Sequence, residues 1–404
     1  MNHQIGKLTN NIEIFYKKNQ NTPRIAMCLN IKSNVREFKA GVETLLARLF
    51  MQGTKNRTSE ELATELDSSA IEFSVDARPD YFRFKFVCLN EDFEKAVEIL
   101  SDILKNSTFN DFEKELIKTE GEIIAELDSP RTKVADKYYS SIFENHKYGY
   151  TNSKILENLK NITKEDILFA YEKIITNSKK VISIVGDFDY TYGKTILEKY
   201  LADVPVSTEN SNVNSLLYLT KTKYGEIIKP DVNQAHIIKG WITESSKSKD
   251  YYTLLLLNII LGASGLSSRL FLELRDKKGL AYVVRSSYET FEQCGNFYIY
   301  IATEPANIEV SLTGFEEEIS KIKNIPIGKL ELENAKNNML GKWAFTQETN
   351  ENQAILYANY GILGLGYDFK EKSKAGIKLV TSEDIMRCAN KYFNDKFVLS
   401  ILKP

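Results

Sequence analysis

The sequence predicts an α+β fold of two homologous domains, each a mainly antiparallel sheet packed with helices. Three observations carry that prediction. Residues 163–173 (TKEDILFAYEK) return as 381–391 (TSEDIMRCANK), and 381 minus 163 gives an offset of 218. Both copies open on Thr with Asp three residues later, a relative of the capping box that satisfies free N–H groups at a helix start. Each then runs into a β-rich segment, 179–185 (KKVISIV) and 396–402 (KFVLSIL). Earlier in each half, 44–53 (TLLARLFMQG) resembles 253–262 (TLLLLNIILG), an offset of 209. Repeats kept in the same order mark a duplication. Finally, strand and helix patterns fall in blocks rather than in strict alternation, which favours α+β over a parallel α/β sheet. A chain of 404 residues with 43% apolar content can fill two cores. The expected division is 1–205, a polar linker at 206–220 around VSTENSNVNS, and 221–404.

In the first half, periodicity predicts strands at 12–16 and 24–33, then helices at 41–51 and 59–68. Strands follow at 71–75 and 81–89. The latter (YFRFKFVCL) sends Arg83 and Lys85 to one face and Phe82, Phe84 and Phe86 to the other. Helices at 92–104, 110–126, 133–144 and 164–174 precede the closing strand at 179–185. The second half repeats the order, with strands at 226–228, 236–243 and 295–303 and helices at 249–261, 308–323 and 327–348. The segment 361–366 (GILGLG) reads as a turn between helices; without a Walker lysine or a preceding strand it is no phosphate loop.

Composition narrows the function. The 53 basic and 55 acidic residues are spread along the chain and leave a net charge of -2, so neither nucleic acid nor an anionic membrane is an expected partner. Residues 1–16 lack a signal-peptide pattern, and no apolar run approaches ~18 residues. A cytoplasmic location is expected, or a periplasmic one if a leader was removed. Cys28, Cys88, Cys294 and Cys388 stand far apart without a CxxC pair and read as buried thiols. His3, His146 and His236 never fall at ligand spacing, and no G-x-S-x-G elbow occurs. Self-sufficient hydrolysis is not expected.

Two stretches carry candidate chemistry. In 267–284 (SSRLFLELRDKKGLAYVV), Leu270, Phe271 and Leu274 recur at helical spacing. Arg275, Lys277 and Lys278 suit the negative end of the helix dipole, and Gly279 is placed to end the helix. A strand then begins, so Arg275 and Tyr282 sit seven residues apart where both could reach one ligand. The plainer alternative is a helix-terminal Arg and a half-buried Tyr. In helix 41–51, Val42, Leu45, Leu46, Leu49 and Phe50 form the buried face, while Thr44, Ala47 and Arg48 share the neighbouring one. On helix 110–126, Glu115 and Glu122 lie two turns apart on one face, which alone would read as a solvated acidic surface.

These stretches resemble the pitrilysin/insulinase family of zinc peptidases, a metalloenzyme fold of the LuxS/peptidase type. Residues 267–284 are similar to the second-domain signature SSRLF-x-E-LR-x-K-x-GLAY. Residues 41–54 keep the frame of G-x-A-HFLEH-MLFKGT, including Phe50, Gly53 and Thr54. In H-x-x-E-H two imidazoles one turn apart hold zinc and the Glu activates its water. This chain has Thr44, Ala47 and Arg48 at those positions, so no cofactor is expected in it. By the same resemblance Glu122 matches the third ligand and Glu115 the accompanying acid. Arg48 is then expected to take the metal's place and pair with Glu122. His146 in HKYGY matches a structural HPYG stretch, and His236 falls on the strand opening the second domain. The likeness is expected to run from an opening strand at 7–14 to a last strand at 397–402.

Heterodimeric members, such as mitochondrial processing peptidase, divide labour between a zinc subunit and one that keeps an Arg/Tyr pair facing its partner's metal. The resemblance therefore implies a non-catalytic subunit in which Arg275 and Tyr282 bind substrate or stabilise the transition state. Its partner would be a related subunit carrying H-x-x-E-H and zinc, and its substrate a peptide or unfolded polypeptide. A catalytically inactive scaffold, or a homodimer that binds peptides without cutting them, stays open as an alternative.

Overall fold

The sequence duplication reappears as two sheets of the same topology. The computed structural model describes residues 3–33, 38–207 and 217–404. Residues 208–216, most of the expected linker, lie outside the described residues. The first sheet contains β1 (His3–Lys7), β2 (Glu13–Lys18), β3 (Arg24–Lys32), β4 (Glu72–Ala77), β5 (Tyr81–Leu89) and β6 (Lys180–Gly186), in the spatial order β1-β2-β6-β3-β5-β4. The second contains β7 (Lys223–Ile228), β8 (Ala235–Thr243), β9 (Ala281–Thr290), β10 (Gly295–Thr303) and β11 (Val398–Lys403), ordered β7-β11-β8-β10-β9. Setting β1 aside, the two orders are the same. In each sheet one pair is parallel, β2 with β6 and β7 with β11, and the other pairs are antiparallel. The repeated Thr motifs form true capping boxes, Thr163 with Asp166 and Thr381 with Asp384.

Each sheet belongs to a compact unit drawn from three segments. One unit takes in Met1–Glu122, Ile155–Asn212 and Ala344–Tyr367; the other takes in Ile123–Lys154, Val213–Trp343 and Asp368–Pro404. Each unit thus gains a helix from the opposite half of the sequence. Helix Asn350–Ile362 lies on β3 and β6, where Ala354 and Ala358 meet Ala26, Cys28 and Val185. Small side chains let the helix come close, and polar pairs fix its register. Asn359 Oδ1 accepts from Asn30 at 2.9 Å and from Arg83 at 3.2 Å, and Gln353 Oε1 accepts from Lys17 at 2.6 Å. The Arg83 and Lys85 face of β5 is therefore covered by this helix, with Lys85 paired to Glu351. In the other unit, helix Pro130–Ile142 lies on β8 and β11, and Tyr138 is wholly buried beside Ile238 and Val398. Its hydroxyl donates to Asn296 at 2.6 Å. Gly240 makes room for it: a Cβ there would stand 2.0 Å from the Tyr138 oxygen.

The opening segment needs correction. Residues 7–14 are not one strand but the corner of a β1–β2 hairpin, closed by Leu8 N–H to Ile12 O and Asn11 N–H to Leu8 O, both 2.9 Å. Asn11 takes φ 71°, a left-handed conformation that Asn tolerates and that turns the chain. The helix expected at 133–144 starts earlier, at Pro130, because proline's missing N–H costs nothing in the first helical turn. The turn at 361–366 begins later, since Gly361 and Ile362 still belong to a helix; Gly364 and Gly366, both at positive φ, make the turn. Among the described residues no helix is long and apolar enough to cross a membrane.

Candidate functional site

Helix Val42–Leu49 starts from Gly41, held at φ 100° with Ile155 and Ile162 beneath it, so a side chain there would be strained and crowded. Leu45, Leu46, Leu49 and Phe50 are buried, and the Phe50 ring meets Phe84 edge-on at 4.9 Å. This apolar face fixes the rotation of the helix and leaves Thr44 and Arg48 partly exposed, with Ala47 buried. The Arg48 guanidinium lies 2.6 Å from Glu122 Oε2 on helix Phe112–Asp128. Hydrogen bonding from Arg48 holds the Glu122 carboxyl below its usual range. Both side chains are partly exposed, 31% and 44%, so the pair contributes at most about 1 kcal/mol. Glu115 is different: it is 2% exposed, with Lys118 at 3.7 Å, and is no part of a solvated acidic face.

The retained Gly53-Thr54 corner is structural. Gly53 has φ 106°, and Thr54 donates to Asp102 at 2.6 Å. Arg57 ties the corner together through Glu65, Glu98 and Asp102 at 2.6, 3.0 and 2.8 Å. The helix that the sequence resemblance aligns with a zinc-binding helix carries Thr44, Ala47 and Arg48 at the aligned positions. A threonine, an alanine and a permanently cationic arginine do not fit a zinc ion. Among the described residues no group of three or more His, Cys, Asp or Glu side chains is placed to hold a metal. His3 stacks on Phe15 at 5.4 Å, His146 caps a short turn through Nδ1 to Tyr148 N–H at 3.2 Å, and His236 meets the Tyr300 hydroxyl at 2.9 Å. All four cysteines are buried and free, and burial pushes the Cys28, Cys88 and Cys388 thiols up to about 12.

Arg275 and Tyr282 are brought together. Leu270 and Leu274 anchor their helix with no exposed surface, and Leu274 seats against Gly314. Residues Phe271–Lys277 form wide π-helical turns, a geometry absent from the sequence signal and frequent at functional sites. Gly279, at φ 64°, closes the helix; its N–H reaches Arg275 O at 3.1 Å, and Leu280 N–H reaches Leu274 O at 2.8 Å. The chain reverses there into β9, an edge strand. The Arg275 guanidinium carbon lies 4.5 Å from the Phe271 ring centroid and 5.1 Å from that of Tyr282. Tyr282 is 79% exposed rather than half-buried. Nearby Lys277 and Lys278 pair with Glu273 and Glu317, whereas Arg275 is in no ion pair among the described residues.

Known proteins share this fold. A family model described as the insulinase peptidase family M16 matches residues 15–154, and one described as the peptidase M16 inactive domain matches 161–339. An uncharacterized zinc protease of Rickettsia felis is 27% identical over 412 residues, spanning 100% of this chain and 98% of that protein. The uncharacterized zinc protease YmxG of Bacillus subtilis is 26% identical over 369 residues, spanning 90% and 88%. A crystal structure of a protease from Helicobacter pylori shares the fold with a TM-score of 0.91 at 21% identity, covering 100% of this chain and 99% of that one. A peptidase M16 inactive domain from Pseudomonas fluorescens does so at 0.90 and 20%, covering 100% and 98%. Two models of one family match successive parts of the chain, and its sheets follow one repeated topology: the protein belongs to the pitrilysin/insulinase (M16) peptidase family, as a member whose described residues hold no metal-binding cluster.

Proposed function

We propose that this chain is the non-catalytic subunit of a heterodimeric zinc peptidase and presents Arg275 and Tyr282 to a peptide held at its partner's zinc site. The observation that carries this reading is a stacked Arg–Tyr pair at an edge strand, the phenol largely in solvent and the guanidinium in no ion pair among the described residues. Peptide hydrolysis develops negative charge on the scissile carbonyl oxygen, and fixed donors aimed at it lower the barrier. Arginine supplies a permanent fork of donors and tyrosine a hydroxyl, and either can also grip backbone carbonyls. The unsuitability of Thr44, Ala47 and Arg48 as metal donors supports placing the zinc in the partner. The test is reconstitution with a co-purified subunit carrying H-x-x-E-H. Arg275→Ala should lower peptide turnover on the order of 10²–10³-fold while leaving the complex assembled. A scaffold or a peptide-binding homodimer would leave turnover unchanged, and that result would discard the assignment.

A further inference from the structure

The face of the second sheet beneath helix Pro130–Ile142 carries a cluster of two guanidiniums, a phenol and an imidazole. Tyr300 on β10 is 4% exposed and stands directly across from Arg285 on β9, whose guanidinium carbon is 5.7 Å from the ring centroid. Arg131, in the first turn of the helix, reaches the same ring at 5.5 Å. On β8, His236 Nδ1 lies 2.9 Å from the Tyr300 oxygen. Burial, and then Arg131, hold the His236 pKa down, while burial raises that of Tyr300. The phenol hydroxyl and the imidazole share a hydrogen bond whose direction follows the imidazole tautomer.

Among the described residues neither Arg131 nor Arg285 is in an ion pair, and Arg285 Nε is buried without a hydrogen-bond partner. The only charge among the described residues that perturbs His236 or Tyr300 is the cation Arg131. Acids in the neighbourhood are engaged elsewhere: Glu289 accepts from Tyr139 and Tyr298, and Asp128 and Asp231 hold Lys229. The positive end of the helix dipole adds to the same sign, and its N-cap residue Ser129 makes no side-chain cap bond. Two guanidiniums converging on one ring without a counter-charge repel each other, and a bound oxyanion relieves that repulsion through charge-assisted hydrogen bonds.

We propose that Arg131, Arg285 and His236 form an oxyanion-binding site, for the carboxylate of a peptide or for free phosphate. This site shares no residue with the Arg275–Tyr282 pair, so the two assignments are tested separately; Tyr282 itself is the extra residue of a bulge in β9, where Ala302 pairs with Val283 and Thr303 with Ala281.

With three histidines in the chain, the His236 ring proton can be followed by NMR in the full-length protein. Inorganic phosphate, acetyl-Ala-Ala free acid and acetyl-Ala-Ala amide are titrated separately at pH 7.5. The expected result is a saturable shift of the His236 signal with phosphate or the free acid but not the amide, weakened at least tenfold in Arg131→Gln. Arg131 is solvent-exposed, so this variant should fold. Saturation by phosphate alone would assign a small-anion site, and saturation by the free acid a peptide carboxylate site. A non-saturating shift reproduced by sodium chloride, or unchanged affinity in Arg131→Gln, would overturn the proposal.

Discussion

Arg48 and Glu122 meet at 2.6 Å across two helices, within the part of the chain that the insulinase family model matches. The pair is partly exposed, so removing both residues should reveal a coupling of about 0.5–1 kcal/mol in a double-mutant cycle read by urea unfolding. Glu122 is shifted below its ordinary pKa, so the coupling is present above that ordinary value and fades as pH falls through the shifted one. A coupling of zero at pH 7 would show that the contact does not contribute.

The same frame makes a gain-of-binding prediction. The combined substitutions Thr44→His, Ala47→Glu and Arg48→His, with Glu122 retained, should give a protein that binds one zinc ion, measured by chelator competition and metal analysis. Failure of the folded variant to bind zinc would show that Glu122 is out of reach of a metal on this helix.

Asp250 is fully buried, with Arg387 and Lys391 nitrogens at 2.9 Å and the Tyr392 hydroxyl at 2.7 Å. Burial alone would push its carboxyl up; the hydrogen bonds from Lys391, Tyr392 and Arg387 outweigh it and hold the pKa at about 2. The unfolded chain protonates this group near its ordinary value, so its stabilisation is complete above about pH 4 and is lost as pH falls toward 2. Asp250→Asn should cost about 2 kcal/mol at pH 7, with the difference from the parent narrowing at pH 3 in urea titrations.

Lys180 shows the opposite sign. It is 1% exposed and donates to the carbonyls of Ile175, Ser178 and Pro205 at 2.7, 3.3 and 2.7 Å. Burial pushes its ammonium down to about 7, whereas an unfolded lysine titrates near 10.5. Between those values the unfolded chain binds more protons, so this group's contribution to stability rises as pH is raised from 7 toward 10. Comparing urea midpoints at pH 7 and pH 9 should show that rise, flattened in Lys180→Met.

Gly240→Ala should destabilise by about 2 kcal/mol or more, because the new methyl collides with the Tyr138 hydroxyl. Tyr138→Phe in the same chain should recover part of the loss, read as a thermal midpoint. An unaffected Gly240→Ala protein would contradict the close approach of helix Pro130–Ile142 to β8.

Local chemistry determined much of this protein. Thr163 and Thr381 announce their helices because a capping box closes within four residues. The alternation of 81–89 and the apolar run of 295–303 predict β5 and β10 to the residue. The Gly279 stop places Arg275 and Tyr282 at a helix end and a strand start for the same reason. What only the tertiary structure decided depends on partners distant in sequence. Helix Asn350–Ile362 has small and polar contact residues whose meaning appears only when Asn359 meets Asn30 and Arg83, more than 270 positions away. The wide turns at Phe271–Lys277, the burial of Glu115, the exposure of Tyr282 and the approach of both Arg131 and Arg285 to the Tyr300 ring all arise from packing. Backbone preference and apolar spacing act over a few residues and can be read along the chain; burial and charge pairing are properties of space, which folding alone assigns.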